Sequence, residues 1–159
     1  MASLFFEEIE VGDRRTAGPY FVSKDEIVEF ATKFNPQPFH IDEQAAARSV
    51  FGGLTASSAH TFSILVLLLT KTEPSLRVLA GLGWDELRLP TPVRPRDELF
   101  LEATILEKRE SGNCPHTGTL SQSKTRTCIA MHEHGAGRAP SRCEIFDVTQ
   151  TGAVAGRSS

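Results

Sequence analysis

The segment AHTFSILVLLL, residues 59–69, is apolar on nearly all sides when it is drawn as a helix. A helix of this kind is buried over most of its surface, because it has no continuous polar face to turn toward water. The triplet Glu73-Pro74-Ser75 then supplies a stop signal. The pattern predicts one long helix from about Ser57 to Thr70, around which the rest of the chain packs.

The chain that follows this helix changes to the alternating pattern of β-strands. Residues 83–89, 98–108 and 118–131 place side chains alternately on two faces, and residues 141–148 are expected to form a further strand. One buried helix followed by several long antiparallel strands predicts an α+β fold. In that fold a curved antiparallel sheet wraps around the long central helix.

The sequence predicts one domain, which spans residues 1–148, followed by a tail. Residues 149–159 are small and polar, so they are expected to be disordered. A single curved sheet in a chain of 159 residues leaves an edge strand or an open face. A second copy would cover it, so a homodimer is expected.

Length and composition limit the classes of function. The net charge of −3 and the lack of any run of Lys or Arg give no reason to expect a nucleic-acid partner. The amino terminus carries acids where a secretory signal carries bases, and residues 62–69 fall well short of the ~20 residues of a membrane span. Cys114, Cys128 and Cys143 lack the C-x-x-C spacing of a zinc site. A cytoplasmic protein without membrane, metal or disulfide framework is expected.

A loop held by two prolines precedes the central helix. Ser23 and Glu26 have the S-x-x-E spacing of a capping box, which predicts a helix from about residue 24 to residue 33. Pro36 and Pro38 prevent that helix from continuing and favour extended backbone before each of them. The chain therefore enters a stiff loop at Asn35.

His40 follows this loop and is the natural candidate for proton transfer, because the pKa of a free histidine lies near neutrality. A stiff loop holds a catalytic side chain in a fixed geometry. The alternative is an ordinary loop histidine that forms local hydrogen bonds. The residues by themselves leave both interpretations open.

The start of the central helix is a second candidate site. Unsatisfied amides near Ser57 and Ser58 suit an anionic oxygen, and His60 lies one turn farther on. The alternative is an ordinary helix that a serine caps. The tract His132-Glu133-His134 has the composition of a metal site but no third ligand nearby, so a solvated hairpin is expected there.

The stretch from Phe34 to Ala47 resembles the hydratase signature of the MaoC-like dehydratases, which are related to the (R)-specific enoyl-CoA hydratases. In that signature an Asp lies five residues before the His, and His-x-Asp ends it. The positions that fit here are Gln37, Pro38, His40 and Asp42. Further segments that are similar to the family lie at residues 51–61, 83–88, 92–95 and 106–109, and the likeness extends from about residue 5 to residue 126.

This resemblance implies a hot-dog fold, usually dimeric, with a second copy or a related hot-dog chain as partner. It also implies that the substrate is an acyl thioester on coenzyme A or a carrier protein, with no separate cofactor. In the family, an Asp and the His activate a water that adds to a trans-2-enoyl group and gives the (R)-3-hydroxyacyl product. A backbone amide polarises the thioester carbonyl, and by the motif it would come from Ser58. The resemblance places Gln37, Ser57 and His60 around the substrate.

Two positions depart from the family pattern: Asn35 occupies the place of the Asp, and Ser58 the place of a Gly. An amide side chain holds a water but cannot take its proton. If the carboxylate shares the base role, its loss removes part of a general-base effect of about 10²–10⁴-fold. The hypotheses are a hydratase that works mainly through His40, a catalytically impaired subunit that binds acyl thioesters or supports an active partner, and a hot-dog thioesterase.

Overall fold

The structure is a computed structural model, which describes residues 3–111, 117–130 and 148–156. Its helices and strands follow one another in this order: β1 (Ser3–Leu4), a 3₁₀ helix (Phe6–Glu8), β2 (Arg14–Phe21), α1 (Lys24–Phe34), α2 (Pro38–Ile41), α3 (Glu43–Ala47), α4 (Ser58–Thr70), β3 (Ser75–Leu76), β4 (Val78–Leu87), β5 (Glu98–Glu110), β6 (Thr117–Ala130) and β7 (Val148–Ala155).

Five of the strands form one sheet in the order β2-β5-β6-β7-β4, and each neighbouring pair is antiparallel. On β5, the residues Leu99, Leu101, Ala103 and Ile105 are buried, and the intervening residues are more exposed. This period of two is the pattern that predicted the strand. The strands β2 and β4 form the two edges of this sheet.

The helix α4 packs on one face of the sheet. Its residues Ile64, Leu65 and Leu68 share a core cluster with Leu99 and Leu101 of β5. The predicted helix is therefore confirmed, with a start one residue later than expected. Burial is less complete than expected, because one side of α4 is open. On that side Val66 and Leu67 are each 37% exposed.

The carboxyl end differs from the prediction. Residues 149–155 were expected in a disordered tail, but they belong to β7, so the predicted domain boundary at 148 is wrong. The strand lies between β6 and β4 and pairs with both, and Val154 is buried. Backbone pairing on both sides stabilises this strand, although its composition is weakly apolar. The strand predicted at residues 141–148 and the loop at 132–140 lie outside the described residues, apart from Val148.

Candidate active site at the start of the central helix

His40 lies on the short helix α2, and its side chain is held by the segment that leads into α4. The residue is only 6% exposed. Its Nδ1 is 2.7 Å from the carbonyl oxygen of Thr55, and the ring of Phe39 meets it edge-on. The loop and the start of the central helix are therefore joined at this histidine.

The contact with Thr55 determines the tautomer of His40. A carbonyl oxygen only accepts hydrogen bonds, so Nδ1 carries the hydrogen and donates it. In the neutral ring, Nε2 then holds the lone pair. Among the described residues Nε2 has no hydrogen-bond partner, and protein atoms do not enclose it. The ring can therefore accept a proton at Nε2 without moving.

Asn35 closes α1 and leaves its side chain free. Its amide N–H donates to the carbonyl of Ala31 at 2.8 Å, and its own carbonyl accepts from the amide of Gln37 at 2.8 Å. Within the described part of the chain, its half-buried side-chain amide has no hydrogen-bond partner. The side chain is available to a water or a substrate. Gln37 is exposed and its side chain does not cap α2.

Asp42 is not available as a substitute base. Its Oδ1 accepts the amide N–H of Ala45 at 2.8 Å, so it caps α3 as expected. A capping carboxylate is already committed to a helix start. The role that Asn35 cannot fill is therefore not taken over by Asp42.

Backbone N–H groups without an acceptor lie at the start of α4. The hydroxyl of Ser57 accepts the amide N–H of His60 at 3.2 Å, and the carbonyl of Ser57 accepts that of Thr61 at 3.0 Å. In the residues that the structure describes, the amides of Ser58 and Ala59 have no acceptor. These N–H groups, with the positive end of the helix dipole, suit an oxygen that gains negative charge.

His60 is tied to α1. Its Nε2 donates to Oε1 of Glu26 at 3.0 Å, and its ring stacks on Phe30 at 4.6 Å. The hydroxyl of Tyr20 donates to the same Oε1 at 2.5 Å. Burial, with the hydrogen bond to Glu26 and the charge of its carboxylate, raises the pKa of Tyr20 to about 12.

This cluster corrects one prediction. The hydroxyl of Ser23 accepts the amide of Glu26 at 3.1 Å, but the Glu26 carboxylate contacts Tyr20 and His60 and does not return to Ser23. The capping box is therefore only half formed. Glu26 and His60 are 34 positions apart, and no local spacing in the sequence indicated their contact. Nε2 of His60 is occupied by Glu26 and its Nδ1 is enclosed by protein atoms. The expected contact between His60 and a substrate stays a prediction.

The described ranges, 3–111, 117–130 and 148–156, contain neither a metal-site cluster nor a membrane-spanning helix. No group of three or more His, Cys, Asp and Glu side chains in them is placed to hold a metal ion. None of the helices in these ranges has the length and apolar character to cross a membrane. The tract at residues 132–134 lies outside them.

Comparison with known proteins shows the family of this chain. It matches the family described as MaoC like domain over residues 8–126. The uncharacterized protein YdeM of Bacillus subtilis (strain 168) is 32% identical over 108 residues, which are 67% of this chain and 77% of that protein.

Solved structures agree with this match. The crystal structure of the MaoC-like dehydratase from Rhodospirillum rubrum has a TM-score of 0.81 and 34% identity, and the match covers 99% of this chain and 100% of that chain. A Mycobacterium tuberculosis protein with a double hot-dog fold has a TM-score of 0.79 at 16% identity, over 98% of this chain and 45% of that one. The expected α+β hot-dog fold is confirmed.

Proposed function

Because the chain belongs to the MaoC-like dehydratase family, we propose that it adds water to a trans-2-enoyl thioester and catalyses the reverse dehydration. The product of hydration is the (R)-3-hydroxyacyl thioester. The acyl group is carried by coenzyme A or by a carrier protein, and the reaction needs no further cofactor.

The hydrogen bond between His40 and Thr55 carries this proposal. It presents Nε2 as a proton acceptor on a ring that is buried and fixed. In the forward direction Nε2 takes a proton from water, and the oxygen of that water bonds to C3 of the enoyl group. The electron pair of the double bond moves toward the thioester oxygen. The protonated Nε2 then gives its proton to C2, which restores the neutral histidine, so that one water has been added across the bond.

The charge that develops on the thioester oxygen needs donors that are already in place. The amide of Ser58, together with that of Ala59, supplies them at the start of α4. Ser58 retains its N–H, although the family usually has Gly there. The side chain of Asn35 positions the water by hydrogen bonding, and His40 alone removes the proton.

The acting species is proposed to be a homodimer. The edge strand β4 exposes four apolar side chains that a lone domain would leave in water. They are Val78 (54%), Leu79 (60%), Leu82 (58%) and Leu87 (43%). A second copy that pairs along β4 covers the open edge, and these side chains then lie at the junction of the two copies.

Hydration of crotonyl-CoA tests the reaction. Loss of the absorbance of the conjugated thioester follows the addition of water, and the wild-type protein is expected to catalyse it. Replacement His40→Ala is expected to lower kcat/KM by about 10²–10⁴-fold, because the general base is lost. Replacement Gln44→Ala, at an exposed position on α3, is the control and is expected to leave the rate unchanged. Equal rates for His40→Ala and the wild type would contradict the assignment.

One observation favours a second candidate function. The family Asp is replaced by Asn35, whose free side chain binds but does not deprotonate. A catalytically impaired subunit that binds acyl thioesters, or supports an active partner chain, has this property. Tight binding of saturated acyl-CoA without any hydration of crotonyl-CoA would identify it.

A further inference from the structure

A cleft of about 340 Å³ lies between α1 and α4. Each helix contributes one stripe of side chains at helical spacing. Those from α1 include Glu26, Phe30 and Phe34, and those from α4 include His60, Ile64 and Leu67. The surface of this lining is more apolar than polar, and several polar side chains, with Lys33 and Ser63 among them, converge in it, as in many small-molecule sites.

Glu26 is the unusual member of this lining. Its Oε1 accepts two hydrogen bonds, one from Tyr20 and one from His60. No donor among the described residues reaches its Oε2, and the side chain is 33% exposed. The carboxylate is therefore held firmly at one oxygen, while the other oxygen retains unfilled acceptor capacity.

The cleft and the proposed oxyanion donors share the helix α4, although Ser58 itself does not line the cleft. His60 lies two residues after Ser58, whose amide is proposed to bind the thioester carbonyl. Leu67, at the other end of the stripe, is nine residues from Ser58, or about 13 Å along the helix axis. An extended acyl chain of medium length spans a comparable distance, so it can reach Glu26 and Leu67 if it runs along α4 on this side.

We propose that this cleft receives the acyl chain of the thioester, and that Glu26 Oε2 selects chains that carry a hydrogen-bond donor such as a hydroxyl group. The inference rests on the proposed function for the thioester and goes beyond it in naming the substrate class. Glu26 acts here as a specificity-determining residue and takes no part in the chemical step.

Desolvation of Glu26 Oε2 is the physical basis for selecting a hydroxylated acyl chain over a plain alkyl chain. A plain alkyl chain over Oε2 removes its water and offers no hydrogen bond in return, which is unfavourable for a charged acceptor. A hydroxyl at the same place donates to Oε2 and compensates for the lost water. Sites that are built to hydrogen-bond a substrate hydroxyl discriminate strongly against analogues without it.

The replacement Glu26→Gln gives a sharp test, because the other two contacts restrict how the new amide can lie. Tyr20 and His60 both donate, so the carbonyl oxygen of the glutamine must face them. Its NH₂ group then faces the cleft in place of Oε2. The volume is unchanged, but the group in the cleft changes from an acceptor to a donor.

The probes are saturated acyl-CoA thioesters with a hydroxyl group at successive carbons, each paired with the methyl ether at the same carbon. A hydroxyl donates and accepts, whereas the ether only accepts. By calorimetry, the wild type is expected to bind the best hydroxyl compound at least about 10-fold more tightly than its ether. Glu26→Gln is expected to bring this ratio to about one or to invert it.

Asp25→Asn is the matched control, because Asp25 is an exposed carboxylate on the same helix that does not line the cleft. It is expected to keep the wild-type ratio. Equal affinities for hydroxyl and ether at every position in the wild type would overturn the proposal. So would an unchanged ratio in Glu26→Gln, which would mean that the ether is rejected only for its size.

Crotonyl-CoA hydration is measured on the same proteins to separate the two proposals. Hydration without a hydroxyl preference overturns the role of Glu26 and leaves the proposed function intact. A hydroxyl preference that depends on Glu26, without hydration, supports the role of Glu26 and contradicts the hydratase assignment. Failure of every thioester to bind overturns both.

Discussion

Nδ1 of His40 lies 2.7 Å from the carbonyl oxygen of Thr55, and this contact makes Nε2 the only ring nitrogen that can act as a base. Because a main-chain carbonyl holds the ring, no side-chain carboxylate is needed to set the tautomer. The lack of a carboxylate at position 35 therefore affects the positioning and deprotonation of the water more than the orientation of the histidine.

Replacement Asn35→Asp is expected to raise hydratase activity. An aspartate at this position both holds the water and shares in removing its proton, which an amide cannot do. The expected gain in kcat/KM on crotonyl-CoA is up to about 10²-fold, at the low end of general-base effects. Asn35→Ala is the control and is expected to lose activity. If a folded Asn35→Asp protein shows no gain, the water does not lie beside residue 35.

Tyr20 is expected to titrate at an unusually high pH. It is the single tyrosine of the chain, so phenolate absorbance reports on it alone. Burial, the hydrogen bond to Glu26 and the carboxylate charge raise its pKa to about 12. Glu26→Gln removes the charge and is expected to lower this pKa, but not to its ordinary value, because burial is the largest cause. A wild-type titration at the ordinary value would show that Tyr20 does not contact Glu26.

The same pKa shift predicts how stability depends on alkaline pH. Between the ordinary pKa of 10.0 and the raised value of about 12, the folded protein retains a proton that the unfolded chain has lost. The free energy of unfolding is therefore expected to fall as pH rises through this range. Urea unfolding of the wild type and of Tyr20→Phe measures it, since the variant lacks this contribution. Equal pH dependence in the two proteins would contradict the prediction.

Gly18 is expected to tolerate no side chain. Its φ is +115°, and a Cβ there would lie 2.7 Å from the carbonyl oxygen of Leu99. Gly18→Ala is therefore expected to cost more than the ~1–2 kcal/mol of the backbone conformation alone. Gly12→Ala is the matched control, because Gly12 has a φ of +100° with no atom within 4 Å of such a Cβ. Urea unfolding compares the two variants, and equal losses would show that the approach of the Leu99 carbonyl has no effect.

A charge on β4 is expected to dissociate the proposed dimer. Leu82→Lys places an ammonium among the exposed apolar side chains of the edge strand, where pairing with a second copy would bury it. Sedimentation equilibrium is expected to show a dimer for the wild type and a monomer for this variant. Val50→Lys, at a position that is 97% exposed, is the control and is expected to remain dimeric. A wild-type protein that is monomeric throughout would contradict the homodimer.

The sequence by itself determined the central helix and the loop before it. The apolar run and its serine cap predicted α4 to within one residue, and the two prolines predicted the end of α1 and the stiff approach to His40. These features depend on local chemistry: a cap, a missing N–H, and an apolar surface that must be buried. Such signals lie within a few residues of the structure that they cause.

Only the tertiary structure decided the partners of Glu26 and the position of β7. Local spacing assigned Glu26 to a capping box, but the fold brings Tyr20 and His60 to the same carboxylate oxygen. Hydrogen bonds from these two donors stabilise the carboxylate more than one exposed hydrogen bond to the capping residue would. Residues 149–155 look like a tail by composition, yet two flanking strands pair with their backbone. Both outcomes depend on groups that are far apart in the chain, so neither is recorded in any local pattern.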